Sequence, residues 1–275
     1  LVRRNYLVGD GLPWGGLFNR GAEHSARKRR HAGGALLLNG GGGEVLRNFF
    51  NLPDRDVRPI DLAYAFYSQF DAATCSVGFD RGAHLAHVAE KIRRLPGLDR
   101  PRLTRQMAEA VYPHFRCRSW NGRESQINSR FGPWLLPFYD YEITQAALSI
   151  PVRFKYHGDF EAALIRRADP RLAAYPSNYG TGFDQDAPLK RRLGDWAYYL
   201  QPTWLRQYRY AIKHRLRSER NFARWLDGEH AGQVIDLELP YMSRLFRPER
   251  IFDEAQYARV LTLEYLLQTL NARMD

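Results

Sequence analysis

Four consecutive glycines at positions 40–43, inside the stretch ALLLNGGGGEVLRNFF (residues 35–50), restrict the fold more than any other feature of this chain. Glycine loses more conformational freedom on folding than any other residue, so such a run predicts a backbone that turns sharply or passes close to another group. We predict a short buried strand at 35–38 before the run. After it we predict a helix at 44–50, with Glu44 in the first turn, where the helix dipole favours an acid.

Two well-known phosphate-binding loops do not fit this segment. A Walker loop needs a lysine and a serine or threonine after its last glycine, where this chain has Glu44 and Val45. The third glycine of the dinucleotide fingerprint would also fall at Val45. A strand, a glycine turn and a helix start still suit an anionic or nucleotide ligand, with Glu44 placed to hold Mg²⁺ beside a phosphate. A closely packed turn without a ligand is the other interpretation.

Elsewhere the hydrophobic periodicity predicts a mostly helical chain. The aromatic, proline-marked segment 131–139 is interpreted as a loop, and VIDLEL (residues 234–239) as a strand. The fold class we expect is a mostly α remnant of an α/β domain, with short parallel strands and a large helical C-terminal part. The predicted helices are 20–31, 60–71, 82–95, 103–119, 140–149, 159–168, 188–215, 217–227 and 253–272.

Composition argues against several classes of protein. The 275 residues are 44% hydrophobic, yet no apolar run approaches the roughly 18 residues of a membrane span, and no signal-peptide pattern opens the chain. We therefore expect a cytoplasmic protein with no membrane partner. Cys75 and Cys117 lie outside any CxxC pair, so neither a disulfide framework nor a zinc site is expected. Five tryptophans are interpreted as core and interface anchors: Trp120, Trp134, Trp196, Trp204 and Trp225.

The net charge of +11 suits an anionic partner. The basic clusters ARKRRH (residues 26–31) and IKHRLRSER (residues 212–220) fall in predicted amphipathic helices, where Lys and Arg can form the solvated face. Nucleic-acid binding is the alternative, favoured by the aromatic residues interleaved in WLRQYRYAIKHR (residues 204–215). Neither an RNP signature nor a Cys/His finger accompanies them, so a nucleic-acid partner is not expected.

Three segments, in order, resemble the synthetase domain of the asparagine synthase family. LLLNGGGGEVLRNFF resembles that family's L-S-G-E-G-A-D-E-L-F-G-G-Y, and LPFYDYEITQAALSIP (residues 136–151) resembles its V-P-F-L-D-x-x-x-V-x-x-A-x-x-L-P. DFEAALIRRADPRLAAYPSNYGTGF (residues 159–183) resembles K-x-x-L-R-x-A…L-P…K-x-G-F. The matching residues of the last two segments are Pro137, Phe138, Asp140, Leu164, Arg166, Pro176, Gly182 and Phe183.

The resemblance implies an ATP-dependent, amide-forming ligase, which adenylates a carboxylate and passes it to ammonia or an amine. ATP and Mg²⁺ are the implied cofactors. Asn39 and Gly40 take the places of residues that contact the nucleotide, and Glu44 that of an acid associated with Mg²⁺. Asp140 is the implied catalytic residue, although it could equally be the N-cap of the next helix. The implied nucleotide-binding set is Asn39, Gly40, Gly41, Gly42 and Gly43.

The chain also departs from the family pattern. The pyrophosphatase loop S-G-G-x-D-S occurs nowhere in it. Gly41 stands in the place of a glutamate tied to the acyl-adenylate, and Ala162 and Thr181 stand in the places of lysines. We therefore expect the C-terminal portion of such a domain, inactive alone, with a motif-bearing part (1–185) and a helical extension (186–275). In the full-length protein we expect a glutamine-hydrolysing enzyme. A non-catalytic binding or scaffold protein is the alternative.

Overall fold

A computed structural model describes residues 22–68, 70, 72–177, 179–215, 222, 226 and 228–271. Short 3₁₀ or π segments connect many of the α-helices. The α-helices of the described residues are α1 (Ala22–Arg30), α2 (Pro59–Leu62), α3 (Arg81–Arg93), α4 (Arg105–Arg116), α5 (Gly122–Ser129), α6 (Tyr141–Ser149), α7 (Asp159–Ala168), α8 (Pro170–Ala173), α9 (Leu189–Leu200), α10 (Arg206–Arg215), α11 (Gly228–Ala231) and α12 (Glu254–Asn271).

Side-chain caps fix where several helices begin. The carboxylate of Asp80 accepts a hydrogen bond from Ala83 N at 2.9 Å at the start of α3, and the hydroxyl of Thr104 accepts one from Met107 N at 3.3 Å at the start of α4. Such caps satisfy backbone N–H groups that have no partner within the helix. The predicted helices at 82–95, 140–149, 159–168 and 253–272 are confirmed to within two residues.

The predicted helix at 188–215 is wrong as a single element. It divides into α9 and α10 around Pro202, which has no N–H to donate and whose backbone is extended, with φ −51° and ψ 131°. Helix α2 passes into a π segment (Ala63–Tyr67) and ends earlier than the predicted 60–71. The predicted helix at 217–227 falls largely outside the described residues.

A two-stranded parallel sheet joins distant parts of the chain. Strand β1 (Leu37–Leu38) pairs with β2 (Trp134–Leu135), with Leu37 opposite Trp134. Asn39 N extends the ladder by donating to Leu135 O at 2.9 Å. The expected fold class, mostly helical with short parallel strands and a helical C-terminal part, is therefore confirmed.

Three local predictions are corrected. The strand predicted at 35–38 is shorter and not buried: Leu36 is 57% and Leu38 65% exposed, because β1 pairs along one edge and its outward side chains meet no packed layer among the described residues. The segment 131–139, predicted as a loop, contains β2 and a 3₁₀ turn. The predicted strand at 234–239 is instead a series of turns, whose Ile235 and Leu239 are buried.

The helix predicted at 44–50 is also wrong. Only a 3₁₀ turn (Gly43–Leu46) forms, and Arg47 is extended. The Asn48 side chain donates to Leu52 O at 2.9 Å and accepts from Leu52 N at 3.2 Å. Because Asn side chains that bond nearby backbone groups compete with helical hydrogen bonds, the chain turns here rather than continuing as a helix.

Three hydrophobic clusters form the interior of the described part of the chain. The first joins α2, α3, α4 and α6 with the chain around residues 45–57, and the second packs α12 against the turns that precede it. The third is small and joins Val152 and Tyr156 to Tyr199 of α9. Trp196 and Trp204 belong to none of these clusters and are about half exposed, so they are not core anchors, and their expected role as interface anchors stays a prediction; Trp225 lies outside the described residues. No helix of the described residues is long and apolar enough to cross a membrane.

Candidate functional site

The glycine run packs directly on the second of the three segments. Gly42 has a φ of 93°, and a Cβ added there would lie 3.1 Å from the Tyr139 ring. A Cβ on Gly43 would lie 3.4 Å from the Phe138 ring. Only Gly40 faces open space. Left-handed backbone and close packing therefore explain Gly42, whereas a Cβ at Gly43 would make ordinary van der Waals contact with Phe138 and Gly40 has room beside it.

Glu44 is held at the end of this turn. Its Oε2 accepts hydrogen bonds from the Tyr112 hydroxyl at 2.5 Å and from Gly42 N at 3.2 Å. Burial, and then the hydrogen bond to Glu44, raise the pKa of Tyr112 well above its ordinary value, so the phenol stays protonated and donates. The other carboxylate oxygen, Oε1, lies 4.0 Å from Arg47 Nη2. The first segment thus places a carboxylate and a guanidinium side by side.

Arg47 connects the first segment to the third. Its Nη1 donates to the Tyr179 hydroxyl at 2.7 Å, and its Nε lies 3.8 Å from Glu161 Oε2. These groups border a polar cleft of about 510 Å³, which we call the Arg47 cleft. Its lining residues are Glu44, Arg47, Asn48, Phe49, Asn51, Lys155, His157, Gly158, Tyr179, Arg191, Asp195 and Tyr199.

Helix α9 provides the opposite wall of the cleft. Asp195 Oδ2 lies 2.9 Å from His157 Nδ1, and Arg191 Nη2 donates to His157 O at 3.1 Å. The Arg191 guanidinium also stacks 4.0 Å from the centre of the Tyr179 ring. Arg191 and Asp195, the two charged residues of α9 that line the cleft, are therefore held by contacts to the wall facing them.

A buried ionic cluster lies beside the cleft. Glu109 Oε1 is 2.5 Å from Arg105 Nη1, and Glu109 Oε2 is 3.6 Å from Lys155 Nζ. Burial lowers the pKa of Lys155; Glu109 opposes that shift and Arg105 adds to it. Arg105 Nη2 further donates to Asn48 Oδ1 at 2.7 Å. Two buried cations share one buried carboxylate, which leaves the local charge positive when Lys155 is protonated.

The predicted site residues occupy three different positions. Glu44 lines the Arg47 cleft. Asn39 and the glycines form the turn before it, where Asn39 Oδ1 accepts from Gly41 N at 2.6 Å. Asp140 is exposed and caps α6, accepting from Glu142 N at 2.9 Å and Ile143 N at 3.2 Å, and it is not among the residues that line the cleft.

Among the described residues that line the cleft, Glu44 is the one that the sequence predicted as a site residue. The lining residues with basic or acidic side chains that it did not predict are Lys155, His157, Arg191, Asp195 and Arg47. The first two follow Pro151 in the run VRFKYHG, where a lysine and a histidine among apolar and aromatic residues are the only signal. His157 also has a φ of 58°, a conformation that the amino-acid sequence does not indicate. Arg191 and Asp195 lie four residues apart on α9, a spacing that any exposed helical pair would show.

The residues fit Mg²⁺ only as an ion carried by a nucleotide. Among the described residues, no group of three or more His, Cys, Asp or Glu side chains could hold a metal. Glu44 offers one carboxylate with an oxygen, Oε1, that accepts no close hydrogen bond. Since Mg²⁺ is commonly bound by one or two carboxylates together with phosphates and water, Glu44 fits that role beside a phosphate.

Comparison with known proteins finds no relative. The chain matches no protein-family model, no curated protein and no solved structure.

Proposed function

We propose that this chain forms one wall of the catalytic site of an ATP-dependent, amide-forming ligase of the asparagine synthase type. The observation that carries the proposal is the meeting of the three segments in space. The glycines at 42 and 43 pack on Phe138 and Tyr139, and Arg47 reaches Glu161 and Tyr179. The three segments are far apart in sequence, and a shared nucleotide site would require them to lie together in this way.

The charges of the Arg47 cleft suit the binding of ATP together with the carboxylate substrate that ATP activates. Arg47 and Arg191 offer guanidinium groups, which bind phosphate and carboxylate oxygens in bidentate fashion. Glu44 is the carboxylate that would hold Mg²⁺, and the bound ion would neutralise phosphate charge. The buried pair Arg105 and Lys155 adds positive potential next to the cleft, where leaving-group charge develops during adenylation.

The non-catalytic alternative is favoured by one specific observation. A Cβ on Gly41 would lie 2.9 Å from Asn39 Oδ1 and 3.2 Å from Asn121 Nδ2, so a glutamate does not fit there without movement. Ala162 is buried and carries no charge. A protein with this site could retain nucleotide binding while lacking groups that catalyse the acyl transfer.

Nucleotide binding by the intact chain tests the proposal. We expect ATP with Mg²⁺, or AMP, to bind in isothermal titration calorimetry, and Arg191→Ala to weaken ATP binding about tenfold or more, because charge-assisted hydrogen bonds contribute roughly 1.5–3 kcal/mol. The matched control is Arg171→Ala, whose side chain is 93% exposed on α8 and far less constrained.

Three results are decisive. If the folded chain binds neither ATP nor AMP, the proposal is wrong. If ATP binding falls equally in Arg191→Ala and Arg171→Ala, the Arg47 cleft is not the nucleotide site. If ATP binds but no pyrophosphate is released with any of a panel of carboxylates and ammonia, even when the full-length protein is used, the non-catalytic alternative holds.

A further inference from the structure

A second cavity lies between the start of α3 and one face of α12. Its volume is about 350 Å³, and none of its described lining residues lines the Arg47 cleft. We call it the Phe79 pocket. Small organic ligands usually occupy pockets of roughly 300–1,000 Å³ that are mostly apolar and contain a few polar groups. The Phe79 pocket has this size and, as described below, this composition.

Aromatic rings form one wall of the Phe79 pocket. The centres of the Phe79 and Phe246 rings are 6.1 Å apart and the rings are within 27° of parallel, while Phe70 meets Phe79 edge-on at 5.9 Å. The His84 ring, 5.5 Å from Phe79, extends the wall. All three phenylalanines are only partly buried. Since aromatic rings pair in offset-stacked or edge-to-face arrangements, this wall offers both kinds of contact to a further ring.

Backbone pairing holds the two halves of this wall together. Cys75 and Phe246 form an antiparallel bridge. Next to it, Ser76 N donates to Leu245 O at 2.9 Å. These bonds join the segment that carries Phe79 to the segment that carries Phe246. The pocket is therefore formed without a ligand, as is usual for small-molecule sites.

Helix α12 and the turn before it complete the lining. Ile251 and Val260 are 2% and 5% exposed and form the inner, aliphatic part. Arg259 and Leu263 are both exposed and lie four residues apart, which places them on the same face of the helix. The lining thus changes from buried apolar groups to a rim that carries a guanidinium in contact with solvent.

The charge at the Phe79 pocket is positive. Arg259 forms no ion pair with a described residue, and no described Asp or Glu lines the pocket. Burial, and then the charges of His87 and Lys91, lower the pKa of His84, so its imidazole is neutral at pH 7 and has one N–H to donate. An anionic group would meet a cation and a hydrogen-bond donor here, with no described acid in the lining to repel it.

Other classes of ligand suit the pocket less well. Among the described residues, no group of three or more His, Cys, Asp or Glu side chains could hold a metal ion. A nucleotide carries several phosphate charges, for which the lining offers one permanent cation, Arg259. A guanidinium matches a single carboxylate, because the two groups form parallel hydrogen bonds. An aliphatic acid would satisfy Arg259 but would leave the ring faces without an aromatic partner.

We propose that the Phe79 pocket binds a small aromatic carboxylate, whose ring lies against Phe79 and Phe246 and whose carboxylate pairs with Arg259. The binding is independent of the proposed ligase function, since its residues are not those of the Arg47 cleft. Titration of the two sites with different ligands therefore gives separate answers.

Isothermal titration calorimetry of the intact chain with 2-naphthoate and with its uncharged amide, 2-naphthamide, tests the proposal. We expect 2-naphthoate to bind about tenfold or more tightly, because only the carboxylate forms charge-assisted hydrogen bonds. Arg259→Gln should weaken 2-naphthoate about tenfold and leave 2-naphthamide unchanged. Phe79→Leu keeps an apolar side chain but removes the ring, and should weaken both probes about two- to tenfold.

The matched control is Arg171→Gln. The Arg171 side chain is 93% exposed on α8 and does not line the Phe79 pocket. This variant should bind 2-naphthoate like the unchanged protein. Urea unfolding of each variant confirms that it is folded.

Several outcomes would overturn the proposal. One is absence of 2-naphthoate binding, and another is an equal loss of affinity in Arg171→Gln. Equal affinity for 2-naphthoate and 2-naphthamide would make the pocket an apolar site that does not recognise a carboxylate. Tighter binding of octanoate would assign it to aliphatic acids. Displacement of 2-naphthoate by ATP with Mg²⁺, or its loss in Arg191→Ala, would place the probe in the Arg47 cleft. Dimerisation that 2-naphthoate reverses would assign the pocket to a second copy of the chain.

Discussion

At Gly42, the backbone conformation and the packing each favour glycine over any other residue. Its φ of 93° is one that L-residues adopt at a cost of roughly 1–2 kcal/mol. The Tyr139 ring would also stand 3.1 Å from any Cβ. Gly40, two positions earlier, has neither constraint, because its φ is not positive and no atom lies within 4 Å of an added Cβ. Two glycines of one run are therefore predicted to differ in what they tolerate.

Gly42→Ala should lower the free energy of unfolding by about 1–2 kcal/mol or more, for the conformational cost alone. Gly40→Ala is the matched control and should change it by less than about 1 kcal/mol, with a gain as the expected sign, because the unfolded chain loses freedom. Urea unfolding followed by circular dichroism measures both. Equal losses in the two variants would contradict the packing of the glycine turn on Tyr139.

At the scale of elements, local signals located helices and failed for strands. The bounds of α7 follow directly from sequence periodicity, and Asp159 at its start and Arg167 in its last turn agree with the helix dipole. Strand β2 could not be predicted, because its two residues become a strand only by pairing with β1, almost a hundred positions earlier. Pro202 is visible in the sequence, but the helical periodicity on both sides of it led to the prediction of one continuous helix.

Two substitutions of Asp140 distinguish a capping role of this residue from a catalytic one. Its carboxylate accepts the first backbone N–H groups of α6, and Asn is as good an N-cap as Asp. Asp140→Ala should therefore lower the free energy of unfolding by about 0.5–2 kcal/mol and Asp140→Asn by much less. Thermal and urea unfolding measure this. If Asp140→Asn abolishes pyrophosphate release while stability is kept, the predicted catalytic role is supported; unchanged release would limit Asp140 to the cap.

For the whole molecule, the buried cluster of Arg105, Glu109 and Lys155 links α4 to the Val152–Gly158 segment beside the Arg47 cleft. None of these three residues was assigned a role from the sequence, since burial of a charge depends on distant neighbours. Glu44 was predicted, because its place in the glycine segment is local. The sequence thus indicates the Glu44 side of the cleft, whereas the charged cluster beside it is found only from the fold.

The lowered pKa of Lys155 gives the stability of the whole chain a pH dependence. Between that pKa and the ordinary value of 10.5, the unfolded chain holds a proton on Lys155 that the folded chain lacks. Stability from this group therefore rises as pH increases through that window. Lys155→Met should remove this part of the rise in urea unfolding measured at increasing pH, and Lys190→Met, on the exposed side of α9, should keep it. Identical pH profiles for the wild type and Lys155→Met would show that the ammonium is charged in both states.

The two faces of α9 have a thermodynamic consequence. One helix of twelve residues carries Arg191 and Asp195 toward the cleft and Leu189, Leu193 and Leu200 outward. If a cleft ligand and an occupant of the outer face both distinguish between positions of this helix, free-energy linkage makes each change the affinity of the other by the same factor.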